Sequence, residues 1–225
     1  MNSQDERLIR LMNRGEIPVF PLPNVVFFPH TSLGLHVFEP RYRRMTEDAL
    51  ASDGFMAVAL LKPGWESDYY GTPPVHAVAC AGAIEEHHLL PDGRYNIRLR
   101  GLCRIAITRF VSQDPYRMAA FRFIQESNGE DGPEVPAARA RLLSTCSGLM
   151  REIAGNEGRP LALPSDVPFA VGVNALCQSL TMESDRRQRL LEVDDVVERC
   201  RLLVEILTER WRDVSMGETP SGPVH

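Results

Sequence analysis

A single lysine, Lys62, stands among 25 basic side chains, and every other one is an arginine. Chemistry that needs a tunable amine therefore has one place to go, because arginine keeps its proton while a lysine can be desolvated into a base. Lys62 lies in Leu61-Lys62-Pro63-Gly64, a turn sequence. It does not close a glycine-rich run with Gly-Lys and a hydroxyl residue, the arrangement in which backbone amides and a lysine cradle phosphates. A Ser-Lys nucleophile pair would need this same lysine buried beside a serine, which a Pro-Gly turn does not offer. No G-x-S-x-G elbow is present, and Ser147-Gly148 falls within a helical stripe. The one acid-histidine cluster is Glu85-Glu86-His87-His88. Strand neighbours point to opposite faces, so at most one Glu and one His converge. Even with His76 added, metal-ligand spacing is missing, and the cluster reads as a solvated hairpin arm. Cys80, Cys103, Cys146, Cys177 and Cys200 are scattered, without a C-x-x-C pair. Four of them sit in apolar helix or strand patterns, as reduced core thiols do. The expectation is no catalytic residue, no metal and no cofactor, and neither ATP hydrolysis nor peptide cleavage.

Binding residues are easier to name. Gly64-Trp65-Glu66-Ser67-Asp68-Tyr69-Tyr70-Gly71 places three aromatics, Trp65, Tyr69 and Tyr70, among polar and turn residues. Aromatics on a loop grip apolar segments with large area and few torsions. The alternative is that they fold back over the end of the domain as a lid. In Phe38-Glu39-Pro40-Arg41-Tyr42 a structural reading prevails: Phe38 and Tyr42 in the core, Pro40 opening a helix, and Glu39 at that helix's positive end. Arg94, Arg98 and Arg100 alternate with Tyr95, Ile97 and Leu99, so the arginines form a solvated strand face paired with nearby acids.

These residues must be positioned by an α+β chain. The first half reads as strands: the proline-broken apolar runs Ile17–Leu22 and Val25–Phe28, then Leu33–Phe38, Phe55–Leu61, Val75–Ile84, Ile84–Leu90, Arg94–Arg100, Leu102–Val111 and Tyr116–Gln125. Pro91-Asp92-Gly93 supplies a hairpin turn, and Gly101 marks a bulge. One inserted helix, Pro40–Ala51, presents Tyr42, Met45, Ala49 and Leu50 on one side. Many short strands with frequent turns predict a small barrel. Glu126–Pro136 is acidic and poor in apolar residues, which reads as a linker. Beyond it the period is helical, with stripes through Val135, Ala138, Leu142, Cys146, Leu149 and Ile153 and through Val196, Cys200, Leu203, Leu207 and Trp211. A loop, Gly155–Asp166, separates the first of these helices from one at Val167–Ser179, and a short helix at Ser184–Leu191 follows. Asp195 is the expected cap of the last helix, with Glu198 three residues on. The expected organisation is an N-terminal segment over 1–15, a barrel over 16–126, a linker over 127–134, a helical subdomain over 135–213 and a polar tail over 214–225.

Across 225 residues, 30 acids against 25 bases leave a net charge of −5, which argues against a nucleic-acid footprint. No apolar run approaches a membrane span, and no apolar stretch follows the polar, mixed-charge first residues, so a cytoplasmic protein is expected.

Three segments together resemble the Lon N-terminal family, the substrate-binding domain at the front of Lon proteases. They are Pro21-Leu22-Pro23-Asn24-Val25-Val26-Phe27-Phe28-Pro29 with Leu35-His36-Val37-Phe38-Glu39-Pro40-Arg41-Tyr42-Arg43; Leu90-Pro91-Asp92-Gly93-Arg94-Tyr95 with Gly101 and Arg104; and Arg187-Gln188-Arg189-Leu190-Leu191-Glu192 before the final amphipathic helix. Gly34 and Ala79-Cys80 depart from that pattern. The resemblance implies a PUA-like β-barrel followed by a helical bundle, and a motif (Phe38 to Tyr42, Asp92, Gly93, Gly101, Arg104) that is mainly structural. It also implies a non-enzymatic module that binds unfolded or damaged polypeptide and works with a protease or chaperone in trans. Because PUA-like domains elsewhere bind RNA, an RNA-binding protein is the alternative.

Overall fold

The computed structural model describes residues 3–69, 71–130, 132–154 and 167–215. Tyr70, the expected loop 155–166 and the tail beyond 215 lie outside the described residues. The chain divides into two compact units, residues 1–125 and 126–225.

The first unit holds α1 (Ser3–Met12), β1 (Glu16–Leu22), β2 (Ser32–Val37), α2 (Pro40–Leu50), β3 (Phe55–Leu60), β4 (Val78–Leu89), β5 (Tyr95–Ser112) and β6 (Arg117–Phe123). The sheet runs β2-β5-β4-β3-β1-β6, and β5 also pairs with β6. Five strands therefore pair in a closed circuit, with β2 laid against the first part of β5. Only β1 and β3 run parallel; the other pairs are antiparallel. The two strands expected on either side of Gly101 are one 18-residue strand. Its ladder with β4 slips at that point, where Gly82 pairs with Gly101 and Ala81 with Cys103. A bulge lets one long strand turn from one partner to the next without ending.

Hydrophobic burial explains the ordering of layers. β3 is buried along its whole length: Phe55, Ala57 and Ala59 face one cluster and Met56 and Val58 the other. Alternation along a strand makes both clusters possible at once. α2 closes the second with Tyr42, Met45 and Ala49. α1, unread in the polar N-terminal sequence, seats one fully buried side chain, Leu11, in the first. Val25–Phe28 is not a strand. Pro23 and Pro29 deny it a ladder, yet Val26, Phe27 and Phe28 are buried as irregular backbone.

The second unit holds α3 (Val135–Ala154), α4 (Phe169–Ser179), α5 (Ser184–Glu192) and α6 (Val196–Ser215). Of the expected stripes, Val135, Leu142, Cys146 and Leu149 on α3 and Val196, Cys200, Leu203 and Leu207 on α6 are buried, while Ala138 is partly exposed. Trp211, expected to be buried, is only half-buried, with its ring against Gly148. Asp195 caps α6 by accepting the amides of Val197 and Glu198 at 2.8 and 3.1 Å. Glu198 pairs with Arg201 instead of returning to the cap. The acidic stretch before α3 is tied down more firmly than its composition suggests. Ser127 exchanges backbone bonds with Asp194 and Val196, the Asn128 amide donates to Asp195, and Glu130 accepts the Ala170 amide. Glu126 pairs at 2.7 Å with Arg199, whose side chain is 0 % exposed. Arg199 also donates to Asn174 Oδ1 at 2.6 Å and to the Val193 carbonyl at 2.7 Å.

Candidate functional site

The first turn of α2 organises the aromatic loop. Pro40 is its first residue, where the missing amide hydrogen costs nothing. Glu39 precedes it as the cap residue, yet its carboxylate does not cap the helix. It accepts the Tyr69 hydroxyl at 2.7 Å and Arg41 Nε at 3.1 Å. Arg41 donates in turn to the Tyr69 carbonyl at 3.3 Å. Its guanidinium lies over two rings, 4.6 Å from the Tyr42 centroid and 5.8 Å from that of Tyr69. The hydrogen bond to Glu39 and partial burial push the Tyr69 hydroxyl up to about 12. It therefore remains a donor at any physiological pH, and the clamp does not titrate away.

Trp65 opens a one-turn 3₁₀ helix, Trp65–Asp68, that begins after Gly64. Its ring tilts against Tyr69 at 5.6 Å, and both rings are half-buried. Ser67 donates to the Gly64 carbonyl, and Asp68 accepts the Thr72 amide at 3.2 Å while packing on Gly71. The loop is thus folded on itself and fastened to α2. Of the three aromatics singled out from sequence, two meet here, and Tyr70 lies outside the described residues.

Phe38 corrects the sequence reading. It is 58 % exposed, not core. β2 ends on buried Val37, so strand alternation turns the next side chain outward, where Phe38 stacks on His36 at 6.2 Å between centroids. Tyr42 is core as expected, against Phe20 at 4.4 Å.

The rest of the motif serves close approach. Gly93 has φ +80°, and the guanidinium of Arg43 from α2 occupies the space a Cβ would need. Asp92 accepts the Arg94 amide at 3.1 Å and its Nε at 2.7 Å, closing the β4–β5 hairpin. Gly101 meets the turn after Phe28: its carbonyl accepts the His30 amide and its amide donates to the Thr31 carbonyl. A Cβ at Gly101 would collide with the Phe28 carbonyl oxygen. Arg104 is almost wholly buried on β5, and its carbonyl accepts the Ile124 amide at 3.1 Å. Arg94 and Arg98 pair with Asp92 and Glu86, as a solvated face would.

Arg117 was missed. It opens β6 opposite Val19 and is 5 % exposed, with its guanidinium 5.6 Å from the Phe110 centroid. The signal was available: Arg117 shares its strand phase with Ala119, Phe121 and Phe123, an arginine on an apolar face. Burial pushes the Cys146, Cys177 and Cys200 thiols up to about 11, 12 and 12, away from reactive thiolate. Among the described residues no three metal-binding side chains converge, and no helix is long and apolar enough to cross a membrane.

The chain is similar to known proteins along most of its length. Lon protease of Xanthomonas oryzae is 27 % identical over 203 residues, covering 85 % of this chain and 23 % of the relative. Lon protease 1 of Thermus thermophilus is 26 % identical over 201 residues, covering 86 % and 24 %. The chain thus spans about a quarter of the length of the curated relatives it matches. Among solved structures, the Lon N-terminal domain protein from Xanthomonas campestris superposes with a TM-score of 0.60 at 24 % identity, over 84 % of this chain and 97 % of that one. The N-terminal domain of Mycobacterium avium complex Lon protease gives 0.66 at 17 %, over 86 % and 98 %. The family model of the ATP-dependent protease La (LON) substrate-binding domain matches residues 16–209, and the chain belongs to that family.

Proposed function

We propose that this protein is a non-catalytic polypeptide-binding module, a PUA-like barrel with a C-terminal helical bundle, that holds apolar stretches of unfolded or damaged proteins. The observation that carries the reading is the half-buried Trp65–Tyr69 pair, fixed to α2 through Glu39 and Arg41. Rings already held in place lose little freedom when a segment lies across them, so each can contribute about 1–2 kcal/mol. Affinity of that size suits weak, promiscuous capture in the cytoplasm and transfer to a protease or chaperone in trans.

Binding of a reduced, alkylated protein followed by Trp65 emission in a Trp211→Phe background tests this. Emission should move to the blue on binding. Trp65→Ala should weaken binding about tenfold and leave the melting temperature within about 2 °C, while Tyr69→Phe, which keeps the ring, should do less. A Trp65→Ala variant that melts early yet binds normally would reduce the loop to a lid. RNA is the disfavoured partner, since Arg94 and Arg98 are already paired with acids. Its binding should stay at non-specific levels, about 10⁻⁴–10⁻⁶ M at physiological salt.

A further inference from the structure

Among the described strands, β2 has a single strand partner where every other has at least two. It lies against β5 in unbroken register, from Ser32 opposite Arg100 to Val37 opposite Tyr95. The Gly101 amide donates to the Thr31 carbonyl, which sets the phase of that ladder. Bonds to β5 then fall at Leu33, Leu35 and Val37, and the amides and carbonyls of Ser32, Gly34 and His36 point the other way. On that side no described strand or turn receives them. Sheet edges are ordinarily guarded by prolines, charges or bulges. Past Ala83, β4 runs on beyond β3 and carries Glu85 and Glu86 along its free stretch. β2 reads Ser-Leu-Gly-Leu-His-Val, with neither a proline, an acid nor a bulge, and His36 as its one basic side chain. A Cβ added at Gly34, in the middle of the edge, would meet nothing within 4 Å. Leu33 and Leu35 pack on the cluster that α2 closes, yet both remain partly exposed.

We infer that the free edge of β2 is a strand-addition site, which takes an extended, proline-free polypeptide segment as a further strand of the sheet. The edge offers a row of backbone donors and acceptors about 20 Å long, and another extended backbone is what matches such a row. Alternation adds a selection. Residues of the segment beside Leu33 and Leu35 fall on the core side and are apolar, while those beside Gly34 meet open space. Pairing through the backbone does not read side-chain identity, which suits a ligand whose sequence varies. A second copy of β2 laid antiparallel would centre on Gly34 against Gly34, a pair with no side chains to pack, so a foreign segment is the better occupant. The site is separate from the Trp65–Tyr69 pair and stands whether or not that pair binds.

The probe is a dye-labelled peptide of alternating Val and Thr, capped at both ends, titrated against the full chain and followed by anisotropy. An added strand turns only every second amide toward β2. N-methylation of one alternate set should therefore abolish binding, while methylation of the other leaves it within about twofold. Which set fails gives the direction of the added strand. Gly34→Pro removes the central outward amide and leaves the β5 ladder intact, so it should weaken binding about tenfold. Gly34→Ala, whose Cβ has room, should leave binding unchanged. If the Gly34→Pro chain does not fold, the two methylated peptides decide the matter on the unaltered chain. Phase-dependent binding that survives Trp65→Ala would establish the edge even where the aromatic reading fails. Equal binding of both methylated peptides would overturn the edge, and its loss on Trp65→Ala would leave the aromatic reading standing. A dimer in sedimentation that Gly34→Pro dissolves would give the edge to a second copy and overturn the proposal, as would no binding of the unmodified peptide.

Discussion

Glu126→Ala is expected to destabilise the second unit by about 3–5 kcal/mol. Among the described residues the carboxylate is the only ionised partner of Arg199, at 2.7 Å, and the arginine is 0 % exposed. Its remaining contacts, Asn174 Oδ1 and the Val193 carbonyl, are neutral and cannot replace a charge taken out of water. Arg199→Met should cost less, since Met fills the volume and the Glu126 side chain, 23 % exposed, reaches water. In the double variant Glu126→Ala should then add little, which is the signature of a coupled pair. Each unit carries one tryptophan, Trp65 in the first and Trp211 in the second. Denaturant unfolding followed by Trp211 in a Trp65→Phe background therefore reads the second unit alone. A loss below about 1 kcal/mol for Glu126→Ala would show that the pair is screened and worth no more than a surface bridge.

Gly101→Ala should cost the first unit about 3 kcal/mol, the upper end for adding one carbon to a packed interior. The collision is with the Phe28 carbonyl oxygen, and Phe28 C and Pro29 Cα lie only 3.0 and 3.1 Å from the same point. All three atoms are backbone, so no rotamer change relieves the clash. The turn itself is pinned by the His30 amide on Gly101, the Gly101 amide on Thr31 and the Thr31 hydroxyl on Phe28. Gly93→Ala is the internal comparison. There the obstacle is the tip of the Arg43 side chain, which can move, and the residual cost is a left-handed backbone, about 1–2 kcal/mol. Trp65 emission in a Trp211→Phe background measures both. Equal losses at the two positions would mean that the 28–31 turn yields easily.

Sequence legibility follows the range of the cause. The Asp92-Gly93 hairpin, α2 and the buried stripes of α3 and α6 follow from residues within a turn or two of each other, and all were readable. The closed strand circuit was only suggested by strand count, because it depends on β5 meeting β6 with the right register. α1 escaped because one buried leucine, Leu11, is too small an apolar signal in a polar segment. At the site, Trp65 and Tyr69 stood out by chemistry. Their fastening did not, since Glu39 and Tyr69 lie 30 residues apart and nothing local announces a hydrogen bond. Phe38 was misplaced because hydrophobicity says what a side chain prefers, while the phase of β2 decides where it goes. Arg117 was passed over for the opposite reason: its charge suggested solvent, although its phase placed it among apolar neighbours.

The closed strand circuit has a consequence for biosynthesis. β1 sits between β3 and β6, and its residue Glu16 pairs with Ala120. At about 5–20 residues per second, β1 leaves the ribosome roughly 5–20 s before β6 exists. During that interval one side of β1 has no native partner, and β3 arrives before β6. An apolar strand, Ile17, Val19 and Phe20 among its residues, is then an open edge in a crowded setting. Pro18 and Pro21 lie within it, and each removes an amide that a foreign strand would otherwise engage. The prolines that weaken the finished ladder protect the nascent one, so Pro18→Val and Pro21→Val chains should lose soluble yield during synthesis even where the completed fold is no less stable.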